Sequence, residues 1–249
     1  PRYDANRGIN TLLVERISQA SADQRTGRAG RTAPGRCVRL WSRPEHAERP
    51  PQELPEIKRL DLAEVILTLK AAGVQELRQF RWLEAPGEMA LHHAEQLLLD
   101  LGALAQAEEQ ASVITGMGRR MLAFPVHPRY ARMLLAAQEY GCVHHACLVA
   151  ALTQGRDLLL RAVDRSMVSA REDLLGEKAT SDFWILMRAW AYAAENQFRI
   201  ETLRKLGIHG VTARKVGPLH EQFLRIARDE KLDVTPREVK DEALQKCIL

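Results

Sequence analysis

The chain has 249 residues, of which 46% are hydrophobic and 27% charged, and a net charge of +4. This balance suits one large folded domain or two to three small ones, and no apolar run approaches the roughly 20 residues of a membrane span, so a helical membrane protein is excluded. No secretory signal is visible, and Cys37, Cys142, Cys147 and Cys247 are scattered, which reads as the reduced thiols of a cytoplasmic protein. The charge is uneven. Residues 1–50 hold ten arginines against five acids, residues 51–187 fourteen bases against eighteen acids, and residues 188–240 eleven bases against seven acids. Two basic ends therefore flank an acidic middle, and basic patches suit phosphate.

In chain order, Ile9 to Ile17 is apolar and partly alternating, which predicts a strand. Ser21 then caps a predicted helix to about Arg31, with Gln24 at the capping-box position. Ala33-Pro34-Gly35 is a turn, and Arg36 to Trp41 alternates as a second strand. Strand, helix, strand fits the end of an α/β layer. Pro44 to Pro55 holds four prolines and reads as a linker and domain boundary. The pattern then turns helical. Leu62, Val65, Ile66 and Leu69 fall at helical spacing and end near Gly73, and Met89 to Leu101 forms another amphipathic stretch closed by Gly102. A helix is expected from Arg129, with strongly helical sequence to about Leu160. Arg161 to Lys178 is more polar and is expected to contain a loop. One long helix from Phe183 to Leu206 and another from Val211 to Arg228 follow.

The most informative stretch is Gln24-Arg25-Thr26-Gly27-Arg28-Ala29-Gly30-Arg31. A helix places Arg28 and Arg31 one turn apart, so two guanidinium forks share a face and can clamp the oxygens of a transferring phosphoryl group. Gly27 and Gly30 each cost a helix interior roughly 1 kcal/mol relative to alanine. Close approach of another backbone or a ligand is a reason to carry them. An alternative use of Gln24 is the capping box itself.

Other clusters read more plainly. Cys142, His144, His145 and Cys147 are too closely spaced to wrap a tetrahedral zinc, so no metal site is expected there. His92, His93, His127 and His209 have no carboxylate beside them in sequence. Trp82, Trp184 and Trp190 could stack bases, but Trp82 and Trp184 suit a core better. The lysines and arginines of residues 188–228 could track a phosphate backbone. No Gly-Lys dipeptide exists for a Walker A loop. Asp241-Glu242-Ala243-Leu244 follows no apolar strand and reads as a helix start.

The Gln24–Arg31 run resembles motif VI of the DEAH/DExH-box helicases of superfamily 2. Ala33-Pro34-Gly35-Arg36-Cys37-Val38-Arg39-Leu40 is similar to its usual continuation. Later landmarks occur in the family's order: Pro55-Glu56-Ile57, Phe80-x-Trp82-Leu83-x-x-Pro86, Leu101-Gly102-Ala103-Leu104, Gly118-Arg119-Arg120-Met121 and Pro125-x-x-Pro128-Arg129. Ser181-Asp182-Phe183, Arg188-Ala189-Trp190 and Leu206-Gly207-Ile208-His209 look most like the HrpB-type branch. The resemblance implies a mostly α fold with a partial α/β segment. Residues 1–48 would end a second RecA-like domain, 49–114 form a winged helix, 115–228 a helical-bundle or ratchet domain, and 229–249 start a C-terminal extension. It implies that Gln24, Gly27, Arg28 and Arg31 contact ATP with Mg²⁺, that Arg28 and Arg31 act as arginine fingers with Gln24 beside the attacking water, and that the ratchet domain grips single-stranded RNA. It also implies an upstream RecA-like domain as partner. Motifs I, II, III and V are absent from these residues, so the expectation is a fragment of a larger ATP-dependent RNA helicase, inactive as an ATPase by itself. The alternative is a non-enzymatic helical module that binds RNA or protein.

Overall fold

A computed structural model describes residues 2–4, 9–11, 14–107, 112–160, 165–176 and 181–248, with side chains from residue 14 onward. The fold is mostly helical with two small antiparallel strand pairs among the described residues. It divides into two compact units, Pro1–Leu97 and Leu98–Leu249.

In the first unit, β1 (Arg2–Asp4) pairs with β2 (Ile9–Thr11), with Tyr3 opposite Asn10. The strand expected over Ile9–Ile17 is shorter than its apolar pattern. Leu12 and Leu13 lie outside the described residues, and residues 14–18 are irregular, with Val14 fully exposed. Helix α1 (Gln19–Arg28) follows. Its cap is Ser18 and not Ser21: the Ser18 hydroxyl accepts from the Ser21 N–H at 3.1 Å. The capping-box role of Gln24 therefore falls away, because the position three residues beyond Ser18 is Ser21 and Gln24 lies three residues further on. The expected strand over Arg36–Trp41 is absent. Val38 and Leu40 are 80% and 91% exposed, and no described strand lies alongside to complete a ladder.

Nor is Pro44–Pro55 a loose linker. Its start forms α2 (Arg43–Glu48), capped by Ser42 with Pro44 in the first turn. Its Pro50 and Pro51 carbonyls then accept from the first N–H groups of α1, those of Gln19 and Ala20, at 2.9 and 3.0 Å. Prolines cannot donate, but their carbonyls here satisfy donors that every helix start leaves open. Helix α3 (Ala63–Ala71) buries Ala63, Ile66, Leu67 and Lys70, one stripe at helical spacing. Burial holds the Lys70 ammonium below its ordinary pKa, and it donates to the Gln75 carbonyl at 2.6 Å. The segment before α4 (Glu88–Asp100) is tied to that helix by Arg78, which reaches Glu88 at 2.6 Å and Glu95 at 3.3 Å.

The second unit begins with the hairpin of β3 (Leu104–Gln106) and β4 (Ser112–Ile114). Thr115 caps α5 (Gly116–Met121), accepting from Gly118 N at 3.0 Å and donating to the Gly102 carbonyl at 2.7 Å. Gly118 is required there, since a Cβ would overlap the Ala103 carbonyl oxygen. Helix α6 (Pro128–Ala136) and α7 (Val143–Thr153) divide the segment expected to run helical to Leu160, and Gly141 turns between them at φ +63°. Helix α7 is the centre of the unit. Val143, Ala146 and every residue from Cys147 to Leu152 are buried, so α7 has no polar stripe.

Helix α8 (Arg165–Leu175) occupies most of the polar segment expected to contain a loop; its polarity reflects an exposed face with Leu175 buried at the end. The long helix expected over Phe183–Leu206 is two: α9 (Asp182–Glu195) and α10 (Ile200–Lys205). Gln197 and Phe198 break it at φ 55° and 54°, and Phe198 N bonds back to the Ala193 carbonyl at 2.8 Å. Neither residue is a glycine, so composition carried no sign of a left-handed break. Helix α11 (Gly210–Asp229) buries Ala213, Val216, His220, Phe223, Leu224 and Ala227 at helical spacing. It packs on α7 and α9, and α12 (Asp241–Ile248) packs on α6 and α7.

Candidate functional site

The arginines of residues 14–50 fall into two groups. Arg39 and Arg49 are used within the unit. Arg39 pairs with Asp23 at 2.5 Å and contacts His46 Nε2 at 3.0 Å. Arg49 is buried, lies 4.2 Å over the Trp41 ring, donates to the Ile17 carbonyl at 3.0 Å and pairs with Glu45 at 2.8 Å. A cation stacked on an aromatic face and paired at the same time fixes α2 beside the start of α1. Together with the Pro50 and Pro51 carbonyls, these contacts anchor α1 by its N-terminal end. Ser18 is fully buried, and its N–H reaches the Glu53 carboxylate at 3.2 Å, which holds that carboxyl below its usual pKa.

The other end of α1 is open. Gln24, Gly27, Arg28 and Arg31 are all exposed, and no hydrogen bond or ion pair within the described residues engages Gln24, Arg28 or Arg31. The helix stops at Arg28, so Arg31 is not one turn further along the same helix. It lies in a bend after the Ala29-Gly30 turn. The shared-face geometry read from the sequence is thereby corrected, and the two guanidinium groups sit on the last helical residue and the turn beyond. Free cations at a helix C-terminus complement its dipole and leave both forks available. Gly27 and Gly30 have nothing within 4 Å of where a Cβ would stand. Gly35 differs, because a Cβ there would overlap the Ala29 carbonyl. This close pass brings the returning chain under the end of α1, a role the sequence suggested only as a turn.

The histidines and tryptophans resolve into structural parts. His127 Nδ1 accepts from Arg129 N at 3.3 Å and His209 Nδ1 from Thr212 N at 3.2 Å, so both are helix caps. His144, His145 and His220 form a cluster edge-on to one another and to Trp184 and Trp190. Trp82 donates to the Leu77 carbonyl at 2.9 Å and Trp190 to the Ala213 carbonyl at 3.1 Å. Their indoles are thus partly committed within the fold. A groove of about 440 Å³ in the second unit is lined by Arg156, His209, Lys215 and the apolar Leu152 and Leu219. Arg156 lies outside the basic stretch marked in the sequence. Its isolation in the sequence hid it.

Comparison with known proteins decides the family. Residues 94–126 match the helicase associated domain (HA2), winged-helix, and residues 127–202 match the helicase associated domain (HA2), ratchet-like. The chain is 38% identical over 198 residues to the ATP-dependent RNA helicase HrpA of Escherichia coli (strain K12), covering 79% of this chain and 15% of that protein. The chain belongs to the DEAH-box helicase family. It is also 29% identical over 258 residues to an ATP-dependent RNA helicase HrpA homolog of Haemophilus influenzae, covering 100% of this chain and 20% of that protein. A third relative, named "Probable ATP-dependent RNA helicase DHX37" in Homo sapiens, is 36% identical over 200 residues, 76% of this chain and 17% of that protein. The chain thus spans a fifth or less of the length of these DEAH-box relatives. Their names are HrpA and DHX37, whereas the sequence features pointed to the HrpB-type branch. Among the described residues, no helix is long and apolar enough to cross a membrane.

Proposed function

We propose that this chain supplies the motif VI arginines and part of the RNA-gripping region of an ATP-dependent RNA helicase acting in the cytoplasm. The supporting observation is the contrast within one short segment. Arg39 and Arg49 are spent on holding α1, while Gln24, Arg28 and Arg31 project from its far end with no partner among the described residues. A rigid anchor with free guanidinium groups is what phosphoryl-transfer catalysis needs, because positioning and charge stabilisation carry that reaction. In this reading Arg28 and Arg31 neutralise charge growing on the γ-phosphoryl oxygens of ATP. Gln24 orients the attacking water, and Gly27 leaves room for the nucleotide-bearing RecA-like domain to come close. The exposed Val38 and Leu40 fit the same upstream domain as a partner surface.

The donor set fits phosphate and not Mg²⁺. Among the described residues no group of three His, Cys, Asp or Glu side chains could hold a metal ion. In the intact parent ATP would come with Mg²⁺, which would supply further positive charge against the phosphates. The proposed contact for single-stranded RNA is the ratchet domain taken over residues 115–228, whose exposed Arg204, Lys205, Arg214 and Lys215 lie just beyond the HA2 ratchet-like match and would meet the phosphates.

The test uses the intact parent with Arg28→Ala or Arg31→Ala. RNA-stimulated ATP hydrolysis is expected to fall by about 10³–10⁵ while RNA affinity stays close to wild type. Unchanged ATPase rates would remove the finger assignment. RNA binding that persists with no dependence on ATP or on these arginines would leave the non-enzymatic module as the better reading.

A further inference from the structure

Two of the four cysteines meet inside the second unit. Cys142 is the residue preceding α7 and Cys247 lies in α12, 105 residues apart, with their sulfurs 3.7 Å from one another. They are 1% and 4% exposed. The Cys247 S–H also reaches the Leu244 carbonyl at 3.1 Å, and the Cys142 sulfur lies 3.8 Å from the Ala243 carbonyl. Both thiols are free in the structure. We propose that Cys142 and Cys247 are a disulfide-forming site, closed by a small-molecule disulfide such as oxidised glutathione, which fastens α12 covalently to the start of α7.

The geometry asks little of the fold. A disulfide holds its sulfurs about 2.0 Å apart, so the pair must close by about 1.7 Å from the observed 3.7 Å. One partner sits on a terminal helix of eight residues whose buried contacts are Leu244 and Cys247. Such a helix can shift, and it can also open locally at much lower cost than global unfolding. Opening α12 uncovers both sulfurs together, which gives the oxidant its access.

The two thiols have different parts to play. The hydrogen bond between the two sulfurs holds the Cys142 thiol below its ordinary pKa against the opposing effect of burial. The same bond, with burial, pushes the Cys247 thiol up. Cys142, which stays at the start of α7 when α12 opens, attacks first. Its thiolate displaces one glutathione thiolate from oxidised glutathione and becomes a mixed disulfide. The Cys247 thiolate then attacks the Cys142 sulfur, the mixed disulfide breaks, and the second glutathione leaves as thiolate. The two protons released by the cysteines end on the two glutathione thiols. Cys147 does not compete, because burial pushes its thiol up to about 12. Cys37 is exposed and far less constrained.

The experiment incubates the full chain carrying Cys37→Ser with oxidised glutathione, alkylates the remaining thiols and maps peptides by mass spectrometry. The expected result is one intramolecular Cys142–Cys247 cross-link, a loss of two hydrogens, and a thermal midpoint raised by several degrees that dithiothreitol reverses. Cys247→Ser should stop at the Cys142–glutathione adduct, which separates pair chemistry from a general oxidation. A cross-link through Cys147, or a pair that stays fully alkylatable at every oxidant concentration short of unfolding, overturns the proposal.

Discussion

The end of α1 and the surroundings of α7 are built on opposite terms. Around α7 nearly every apolar side chain finds another, and eight of that helix's eleven residues are buried. Between residues 14 and 41 apolar side chains are left outside: Val14, Val38 and Leu40 are 106%, 80% and 91% exposed. Scattered single exposed apolar residues carry no message, but three of them bracketing arginines without a partner among the described residues, and spacious glycines, do. The lesson is that the α7 bundle satisfies its own sequence, whereas residues 24–40 leave much of theirs exposed. The first region should therefore answer mutation through stability and the second through function.

The largest expected effect sharpens that contrast directly. Arg28→Ala should cost about 10³–10⁵ in the ATPase rate of the parent. The same change in the isolated chain should move unfolding stability by no more than about 0.5 kcal/mol, as for other exposed substitutions. A large stability loss in the isolated chain would mean that Arg28 is a structural residue, and the comparison would break on that side. Phe223→Ala should behave in the reverse way. Phe223 is 2% exposed in α11, and its truncation should cost about 3–5 kcal/mol by chemical unfolding. A cost under about 1 kcal/mol would show that the bundle can collapse around the gap and is less tightly determined than its burial implies.

Much of this architecture was legible in the sequence, and the failures share a cause. The stripe of α3 and the long periodic run of α11 were plain because burial follows the helical period there. The residue types of Gln24–Arg31 could be read directly from the sequence. Their geometry could not, since the helix ends at Arg28 by a turn that no local rule marks. The strand expected at Arg36–Trp41 shows that alternation reports the capacity to pair, and pairing needs a second strand. The break at Gln197 and Phe198 and the pairing of Cys142 with Cys247 are tertiary facts. Nothing within a few residues of either foreshadows them.

The bundle should also be sensitive to acid. Burial holds the pKa values of His144, His145 and His220 below their ordinary 6.5, with Glu221 opposing and Arg228 reinforcing this at His144. The unfolded chain then takes up protons before the folded one as pH falls. The stabilisation from these neutral rings is fully present above about 6.5 and is lost as pH falls from there towards the lower folded values. Urea unfolding between pH 7.5 and pH 5 should show that decline. His145→Phe should reduce its slope, because it removes one titrating ring beside Trp184 whose Nδ1 is buried without a partner. An unchanged slope would place the acid sensitivity on other groups.

The smallest effect tests the glycines, where the two regions differ most finely. At Gly118 an added Cβ would overlap the Ala103 carbonyl oxygen, so Gly118→Ala must displace backbone and should destabilise the chain. At Gly27 the same atom meets nothing within 4 Å, and the residue lies inside α1. Gly27→Ala should therefore stabilise the isolated chain by about 0.5–1 kcal/mol, the usual gain of alanine over glycine in a helix. A residue that sacrifices helix stability for free space makes sense only if the space is filled in the working protein. In the parent, Gly27→Ala should then raise the KM for ATP or slow its hydrolysis while the isolated chain becomes more stable. If the parent keeps wild-type kinetics, the space at Gly27 is not used by the nucleotide or by the domain that carries it, and Gly27 leaves the site while Arg28 and Arg31 remain in it.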